Sequence, residues 1–210
     1  MPQAWVLASR NAGKLRELRA VFAAAEIDVI DLREAGVEED VVAESHIEAF
    51  DTFEANALAK ARYFVARLPG RIVVADDSGL VVDALGGAPG VHSKRWGADP
   101  QLQGAALEAA NNRRLVLAMA GAHNRRARFV CAAACCDGTA ECVVRGEVDG
   151  HIIDAPLGSN GFGYDPYVVV EELGRTMAEA TLAEKQGVSH RGRAFAGLLA
   201  VVRGSRDGLR

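Results

Sequence analysis

Arg71-Ile72-Val73-Val74-Ala75-Asp76-Asp77-Ser78-Gly79 places two carboxylates directly after an apolar run. Four small or β-branched apolar residues in a row are typical of a strand buried on both faces, and the following serine and glycine predict that the strand ends there. We therefore place Asp76 and Asp77 at the carboxyl end of a central strand, where open α/β sheets bind their ligands. Because neighbouring strand side chains point to opposite faces, one carboxylate is expected to hold a divalent cation and the other to activate water. An Asp-Ser-Gly turn that only ends the strand is the alternative.

The composition describes a globular chain with a real core. The 210 residues, half of them hydrophobic, suit a single domain over 1–210. A net charge of −4 argues against a general nucleic-acid-binding surface. No apolar run approaches the roughly 20 residues of a membrane helix, and the N-terminus lacks the features of a secretory signal, so we expect a cytoplasmic protein. The four cysteines fit no common zinc spacing and are expected to pack, reduced, as small hydrophobes.

The order of helical and extended patterns predicts an α/β fold with a mixed sheet. The predicted strands are 5–8, 27–30, 71–75, 127–136, 140–148 and 167–170. The predicted helices are 14–25, 52–68, 102–119 and 193–202, the second of them capped by Thr52. Two strands flank Asp137-Gly138 as a hairpin. Residues 34–51 are acidic and predicted to form an irregular, mobile loop.

Two polar segments suit phosphate groups. Ser9-Arg10-Asn11-Ala12-Gly13-Lys14 opens the first helix, where backbone N–H groups and the helix dipole favour anions. It is not a P-loop, because Leu15 stands where Ser or Thr would bind magnesium. Asn56 and Lys60 lie four residues apart and share one helical face. An ordinary helix start and a solvated helix face are the alternatives for these two segments.

Two later segments suit a nucleotide base. Gly161-Phe162-Gly163-Tyr164-Asp165-Pro166 offers aromatics that stack on a flat ligand, unless they are buried in a tight turn. Lys185, His190 and Arg191 concentrate hydrogen-bond donors that suit a phosphate or the carbonyl edge of a base, unless they are solvated charges at a helix start. With the aspartate pair, these segments supply what is needed to hold a nucleoside triphosphate and cleave it with metal assistance.

On these motifs the chain resembles the inosine triphosphate pyrophosphatase family, also called dITP/XTP pyrophosphatases. The resemblance covers nearly the whole chain, through Ser9–Lys14, Asn56–Lys60, Ala75–Gly79, Leu85–Gly90, Phe162–Asp165 and Lys185–Arg191. It implies a homodimeric α/β enzyme with an elongated mixed β-sheet flanked by helices and two lobes around a central cleft. It also implies Mg²⁺-dependent cleavage of ITP, dITP and XTP to the monophosphate and pyrophosphate, which removes deaminated purines from the nucleotide pool.

The resemblance also implies roles for particular residues. Asp77 is the expected general base and a metal ligand, with Glu48 and Asp76 as further candidate ligands. The expected substrate contacts are Ser9, Arg10, Asn11, Ala12, Gly13, Lys14, Lys60 and Ser78 toward the triphosphate, and Phe162, Gly163, Tyr164, Asp165, Lys185, His190 and Arg191 toward the base. A 6-oxo group accepts a hydrogen bond where adenine carries an amino donor, so a donor such as Arg191 or a backbone N–H would select hypoxanthine over adenine.

The sequence departs from the family pattern at two places. The loop over 37–51 is longer than usual, which makes Glu44 a rival to Glu48 for the metal. The usual Thr-Gly-Asn reads Ser9-Arg10-Asn11, which is expected to add bulk and charge near the phosphates. Three other functions remain open: a related pyrophosphatase of modified pyrimidine or methylated nucleotides, a metal-dependent phosphatase that releases orthophosphate, and a nucleotide-binding module without catalysis.

Overall fold

The chain forms a mixed β-sheet with helices, seen here in a computed structural model that describes residues 3–97 and 101–207. The strands in that part of the chain are β1 Trp5–Leu7, β2 Val29–Asp31, β3 Val73–Val82, β4 Arg126–Cys136, β5 Glu141–Ile152, β6 Val168–Val170 and β7 Arg175–Thr176. The α-helices are α1 Ala12–Ala24, α2 Val41–Ser45, α3 Phe53–Val65, α4 Gly104–Ala118, α5 Leu182–Val188 and α6 His190–Asp207. The predicted fold class is therefore confirmed, although the predicted domain over 1–210 extends beyond the described residues.

The sheet has the order β2-β1-β3-β4-β5-β6-β7. Strand β1 pairs in parallel with β2 on one side and with β3 on the other, in the register Val6 to Ile30 and Val6 to Val73. The chain thus leaves β1 in one direction to form β2 and crosses back to form β3. This reversal makes the carboxyl end of β1 a topological switch point, which is where open α/β sheets bind ligands. The Ser9–Lys14 segment begins at this end.

The chain divides into two compact units. The first unit consists of the described parts of Met1–Asp77, Cys131–Gly146 and His190–Arg210, and the second of Ser78–Val130 and Glu147–Ser189. In the first unit the ring of Phe22 packs edge-on against the rings of Trp5 and Phe195, with a centroid distance of 5.8 Å to each. The core of the second unit contains Leu80, Leu115, Met119, Tyr164 and Val168, among others. The cleft that the resemblance implies stays a prediction.

Strand β3 does not end at the aspartate pair, so the prediction of a strand end at Asp76–Gly79 is wrong. The strand continues for five residues beyond Asp77, to Val82. Gly79 serves a close approach instead of a turn, because a Cβ at this position would overlap the carbonyl oxygen of Gly90 and the hydroxyl of Ser93. The Ser93 hydroxyl accepts a hydrogen bond from the amide of Leu80 at 2.8 Å, which holds this segment against the strand.

Other element boundaries follow local capping. Thr52 caps α3 as predicted, its hydroxyl accepting from the amide of Ala55 at 3.2 Å. The segment 34–51 is not wholly irregular, because it contains α2, capped by the Asp40 carboxylate. Helix α5, which the sequence patterns did not predict, begins with a capping box between Thr181 and Glu184. Helix α6 begins at His190 instead of near residue 193. None of the described helices is long and apolar enough to cross a membrane.

Gly79→Ala tests the close approach at β3. The added methyl group would overlap backbone and hydroxyl atoms, so we expect the free energy of unfolding to fall by about 1–3 kcal/mol in urea titrations. Gly187→Ala in α5 is the control, because a Cβ there meets no atom within 4 Å. The control should leave stability unchanged or slightly raised, by up to about 1 kcal/mol. Equal stability of the two variants would contradict the close approach.

Candidate active site

Asp76 lies in a buried cluster of charges in the first unit. Its Oδ2 atom is 3.0 Å from the Lys14 ammonium and 3.2 Å from Nε of Arg191. Arg191 also contacts Glu17 at 2.6 Å, so two cations face two carboxylates. Asp76 and Arg191 are only 1% and 2% exposed. The thiol of Cys131 approaches the same Asp76 oxygen, at 3.8 Å. Because buried charges are costly unless they are paired, each member of this cluster depends on the others.

The charges in the cluster fix its protonation states. Burial works to raise the pKa of Asp76, but Lys14 and then Arg191 outweigh it and hold that pKa well below its usual range. A carboxyl group with a depressed pKa in the folded state stabilises the fold above the unfolded pKa of about 3.9, and this stabilisation is lost as the pH falls below that value. The cluster therefore contributes fully at neutral pH. Burial also raises the pKa of the Cys131 thiol, which keeps it protonated.

The start of α1 brings Lys14 and Glu17 into the cluster. Asn11 caps the helix by accepting from the amide of Lys14 at 3.0 Å, and the Ser9 hydroxyl accepts from the amide of Asn11 at 3.2 Å. Residues three apart on a helix share one face, so Lys14 and Glu17 both point toward β3 and α6. The helix N-terminus at Ala12 and Gly13 adds the positive end of the dipole. This end of β1 is therefore suited to an anion.

Asp77 has different neighbours from Asp76. Its Oδ2 accepts from the Asn56 amide at 2.9 Å, and the carboxylate is 7% exposed. Burial, with a smaller contribution from the charge of Glu48, raises the pKa of Asp77 despite the opposing effects of Lys14 and Lys60. Two adjacent carboxyl groups thus have pKa values displaced in opposite directions. Such a pair is typical of acid–base sites, in which one carboxylate stays ionised and the other exchanges a proton.

Asn56 connects Asp77 to the acidic loop. Its amide nitrogen donates to the carbonyl of Phe50 at 3.1 Å, and its amide oxygen accepts from the amide of Phe50 at 2.9 Å. With the bond to Asp77, these contacts fix the orientation of the Asn56 side chain. The loop before α3 is therefore held next to the candidate base.

The two candidate metal ligands of the acidic loop, Glu48 and Glu44, have different partners. Glu48 forms an ion pair with Lys60, whose ammonium also donates to the carbonyl of Asp76 at 2.8 Å. Glu44 instead accepts with both carboxylate oxygens from one edge of the Arg10 guanidinium, from Nη2 at 2.7 Å and from Nε at 3.1 Å. Arg10 further donates to backbone carbonyls at positions 37 and 38, at 3.3 and 3.0 Å. Lys60 therefore links Glu48 to the backbone of the aspartate pair. Glu44 instead balances the charge of Arg10. Contact of Arg10 with phosphate stays a prediction.

The carboxylates of the first unit suit a magnesium ion whose other ligands come from substrate phosphates and water. Among the described residues, no group of three or more His, Cys, Asp or Glu side chains is arranged to hold a metal ion. Mg²⁺ is usually bound by one or two carboxylates together with substrate phosphates and water. Asp77 and Glu48 offer such a pair. Asp76 Oδ1 is buried with no hydrogen-bond partner within the described part of the chain, which leaves one acceptor for a cation or its water.

The glycine-rich loop of the second unit separates its two aromatic residues. Tyr164 is buried and its hydroxyl donates to the carbonyl of Ser93 at 2.9 Å. Burial raises the pKa of that hydroxyl. Phe162 is only half-buried. Of the two rings predicted to stack on a base, Phe162 is therefore the one with accessible surface, whereas Tyr164 belongs to the core.

Lys185 and Asp165 form a buried ion pair beside this loop. The two side chains meet at 2.6 Å and are 4% and 6% exposed as residues. Gly161 has a φ of +86°, and a Cβ there would overlap both side chains. A glycine is therefore required at position 161. Direct contact of Lys185 with a nucleotide stays a prediction.

The structure distributes the predicted residues over the two units. The first unit contains Ser9–Lys14, Glu48, Lys60, Asp76, Asp77, His190 and Arg191, and the second contains Ser78, Phe162–Asp165 and Lys185. His190 is buried at the start of α6, and Ser78 is half-buried beside Asp77 in β3. Sequence reasoning missed Glu17, which was hidden as a charged residue within the apolar stripe of α1. It also missed Glu108 and Asn112 of α4, which bind the Phe162 loop.

Comparison with known proteins gives one consistent family. A sequence model of the Ham1 family matches residues 5–201. The dITP/XTP pyrophosphatase of Ralstonia nicotianae is 46% identical over 198 residues, covering 92% of this chain and 94% of its own length. That of Caldanaerobacter subterraneus is 38% identical over 192 residues, covering 90% and 91%. The solved Ham1 protein of Staphylococcus aureus superposes with a TM-score of 0.80 at 35% identity, over 97% of this chain and 100% of the other.

Arg191→Met tests the buried cluster. The substitution leaves Asp76 and Glu17 buried with fewer cations, so we expect the free energy of unfolding at neutral pH to fall by about 3–5 kcal/mol. Arg62→Met is the matched control, because Arg62 forms an ion pair with Glu141 on the surface. That exposed pair should contribute little. Similar urea midpoints for the two variants would contradict the role of the cluster.

Proposed function

This chain belongs to the Ham1 family, and we propose that it is a nucleoside-triphosphate pyrophosphatase of deaminated purine nucleotides. The proposed substrates are ITP, dITP and XTP, and the products are the monophosphate and pyrophosphate. The relatives named dITP/XTP pyrophosphatase, 38–46% identical over most of this chain, support the substrate class. The observation that carries the chemistry is the adjacent pair Asp76 and Asp77, with pKa values displaced in opposite directions beside Lys14 and Lys60. Such a reaction would cleanse the nucleotide pool.

The triphosphate is assigned to the carboxyl end of β1. The N-terminus of α1 offers backbone N–H groups and the positive end of its dipole. Lys14 and Lys60 add two cations, each already fixed by a contact with Asp76. Fixed cations stabilise negative charge that develops on the phosphate oxygens in the transition state, because they need no reorganisation during the reaction.

Asp77 is assigned as the general base. Its raised pKa suits proton transfer better than an ordinary aspartate, because a base is most effective when its pKa approaches the working pH. Asn56 holds the carboxylate at 2.9 Å and thereby orients it. We infer that Asp77 takes a proton from a water molecule that attacks the α-phosphorus, with pyrophosphate as the leaving group.

Mg²⁺ is the proposed cofactor, with Asp77 and Glu48 as its ligands and Asp76 as a further candidate. When bound, a divalent cation neutralises phosphate oxygens and lowers the pKa of bound water. The interaction between Glu48 and Asp77, seen in the pKa of Asp77, favours Glu48 over Glu44. Lys60 forms an ion pair with Glu48 and balances the charge of that carboxylate.

The base is assigned to the second unit, with Phe162 as its stacking partner. Hypoxanthine and xanthine present a 6-oxo acceptor, so a fixed donor would be left unpaired by adenine. Backbone N–H groups of the loop and Lys185 are the candidate donors in this unit. His190 and Arg191 belong to the first unit, where Arg191 already binds Asp76 and Glu17. A homodimer and a cytoplasmic location, expected from the sequence, remain part of this proposal.

Substrate specificity and the role of Asp77 as general base are tested together. With Mg²⁺, the wild-type protein should release pyrophosphate from ITP, dITP and XTP, and little from ATP or GTP. Asp77→Asn should lower kcat by about two to four orders of magnitude while ITP binding remains measurable, because the base is lost but the contact with Asn56 is kept. Asp83→Asn, which changes a surface ion pair with Arg128, should leave kcat unaltered. Near-normal turnover by Asp77→Asn would refute the assignment, and orthophosphate as the product would indicate a phosphatase.

Glu48→Gln and Glu44→Gln distinguish the two candidate metal ligands. Glu48→Gln should raise the Mg²⁺ concentration for half-maximal activity at least about tenfold, because a ligand is lost. Glu44→Gln removes the negative charge that faces Arg10 and should shift this concentration much less. The measurement is a Mg²⁺ titration of pyrophosphate release at saturating ITP, and a larger shift for Glu44→Gln would reverse the assignment.

A further inference from the structure

We propose that Glu108 and Asn112 of helix α4 are positioning residues that clamp the backbone next to Phe162 and so hold its ring ready to receive a purine base. The inference rests on the proposed function for the identity of the ligand. The clamp itself rests only on contacts within the second unit.

Helix α4 binds both polar groups of one loop residue. The amide of Gly163 donates to a carboxylate oxygen of Glu108 at 3.0 Å, and the amide nitrogen of Asn112 donates to the carbonyl of Gly163 at 3.0 Å. Glu108 and Asn112 lie four residues apart, so they occupy one face of the helix. A rigid helix thus fixes the peptide groups on both sides of Gly163.

The other side of Phe162 is fixed from within the loop. The amide of Phe162 donates to the Asp165 carboxylate at 3.2 Å, and its carbonyl accepts from the amide of Asp165 at 3.3 Å. Asp165 is itself held by Lys185. The backbone of Phe162 is therefore bound on both sides, while the residue as a whole is half-buried.

The loop needs such external support. Gly161 and Gly163, which flank Phe162, have φ values of +86° and +61°. Glycine loses more conformational freedom on ordering than any other residue, so a Gly-Phe-Gly segment does not fix itself. A ligand that had to order the segment would bind more weakly, whereas a segment ordered beforehand avoids that cost.

The clamp also forms part of a cavity. A cavity of about 700 Å³ is lined by Phe162 and Gly163 of the loop and by Glu108 and Asn112 of the helix, among others. This volume lies within the usual range for small-molecule sites. Asn112 Oδ1 is buried and has no partner among the described residues, so the contact with Gly163 determines how the amide is turned. The geometry points to one role for the pair, which is to set the position of the ring.

Four variants test the clamp. Glu108→Ala and Asn112→Ala each remove one hydrogen bond to the backbone of Gly163, whereas Glu108→Gln keeps an oxygen that accepts from the Gly163 amide. Asn111→Ala is the matched control, because Asn111 lies on the same helix but binds the 94–97 segment. We expect Glu108→Ala and Asn112→Ala to raise KM for ITP about tenfold with kcat within about twofold, the signature of lost ground-state binding. Glu108→Gln should restore KM, and Asn111→Ala should lower Tm without changing KM.

Amide hydrogen exchange without nucleotide provides the second readout. Exchange over 161–165 should become at least about tenfold faster in Glu108→Ala and Asn112→Ala and remain at the wild-type rate in Asn111→Ala. Unchanged exchange or unchanged KM in both clamp variants would overturn the proposal. If the wild-type protein hydrolyses no ITP, the proposed function fails, and the clamp is then tested by amide exchange and by calorimetric titration with IMP. The affinity for IMP should fall in the two clamp variants. Unchanged affinity for IMP would overturn the clamp.

Discussion

The contact of Lys14 and Arg191 with the Asp76 carboxylate joins three parts of the first unit that are far apart in the sequence. Lys14 lies in the first turn of α1, Asp76 lies in β3 and Arg191 lies in the first turn of α6. A carboxylate that is 1% exposed is stable only with cations and hydrogen-bond donors around it. The positions of both helices are therefore coupled to the charge of one side chain. Edge-on packing of Phe22 against Phe195 holds the same two helices together by apolar contact.

This cluster also explains why adjacent residues of one strand have different chemistry. The alternation of side chains along β3 directs Asp76 toward two cations and Asp77 toward the Asn56 amide. The first carboxylate is then held ionised, while burial and Glu48 raise the pKa of the second. The two neighbouring carboxylates thus have different surroundings because they lie on opposite faces of one strand.

Local signals in the sequence predicted most of the helices and strands but not α2, α5 or β7, and they could not identify partners far apart in the chain. The apolar run before Asp76, the Thr52 cap and the hairpin at Asp137-Gly138 depend on neighbouring residues, and all three appear in the structure. The ion pair of Arg191 with Glu17 spans 174 positions, and that of Arg10 with Glu44 spans 34, so no local pattern could reveal either partner. The predicted strand end at Gly79 was wrong for a related reason. A small residue is needed at position 79 because Gly90 and Ser93, which are distant in sequence, pack against it.

The two units hold their loops in the same way. In the first unit Asn56 of α3 binds both the N–H and the carbonyl of Phe50. In the second, Glu108 and Asn112 of α4 bind the N–H and the carbonyl of Gly163. In each case side chains of a helix satisfy both backbone groups of one loop residue, as a neighbouring strand would in a sheet. Each loop carries a residue assigned to the substrate or its metal, Glu48 in one and Phe162 in the other. Because a helix moves much less than an isolated loop, such contacts give both residues defined positions before any ligand arrives.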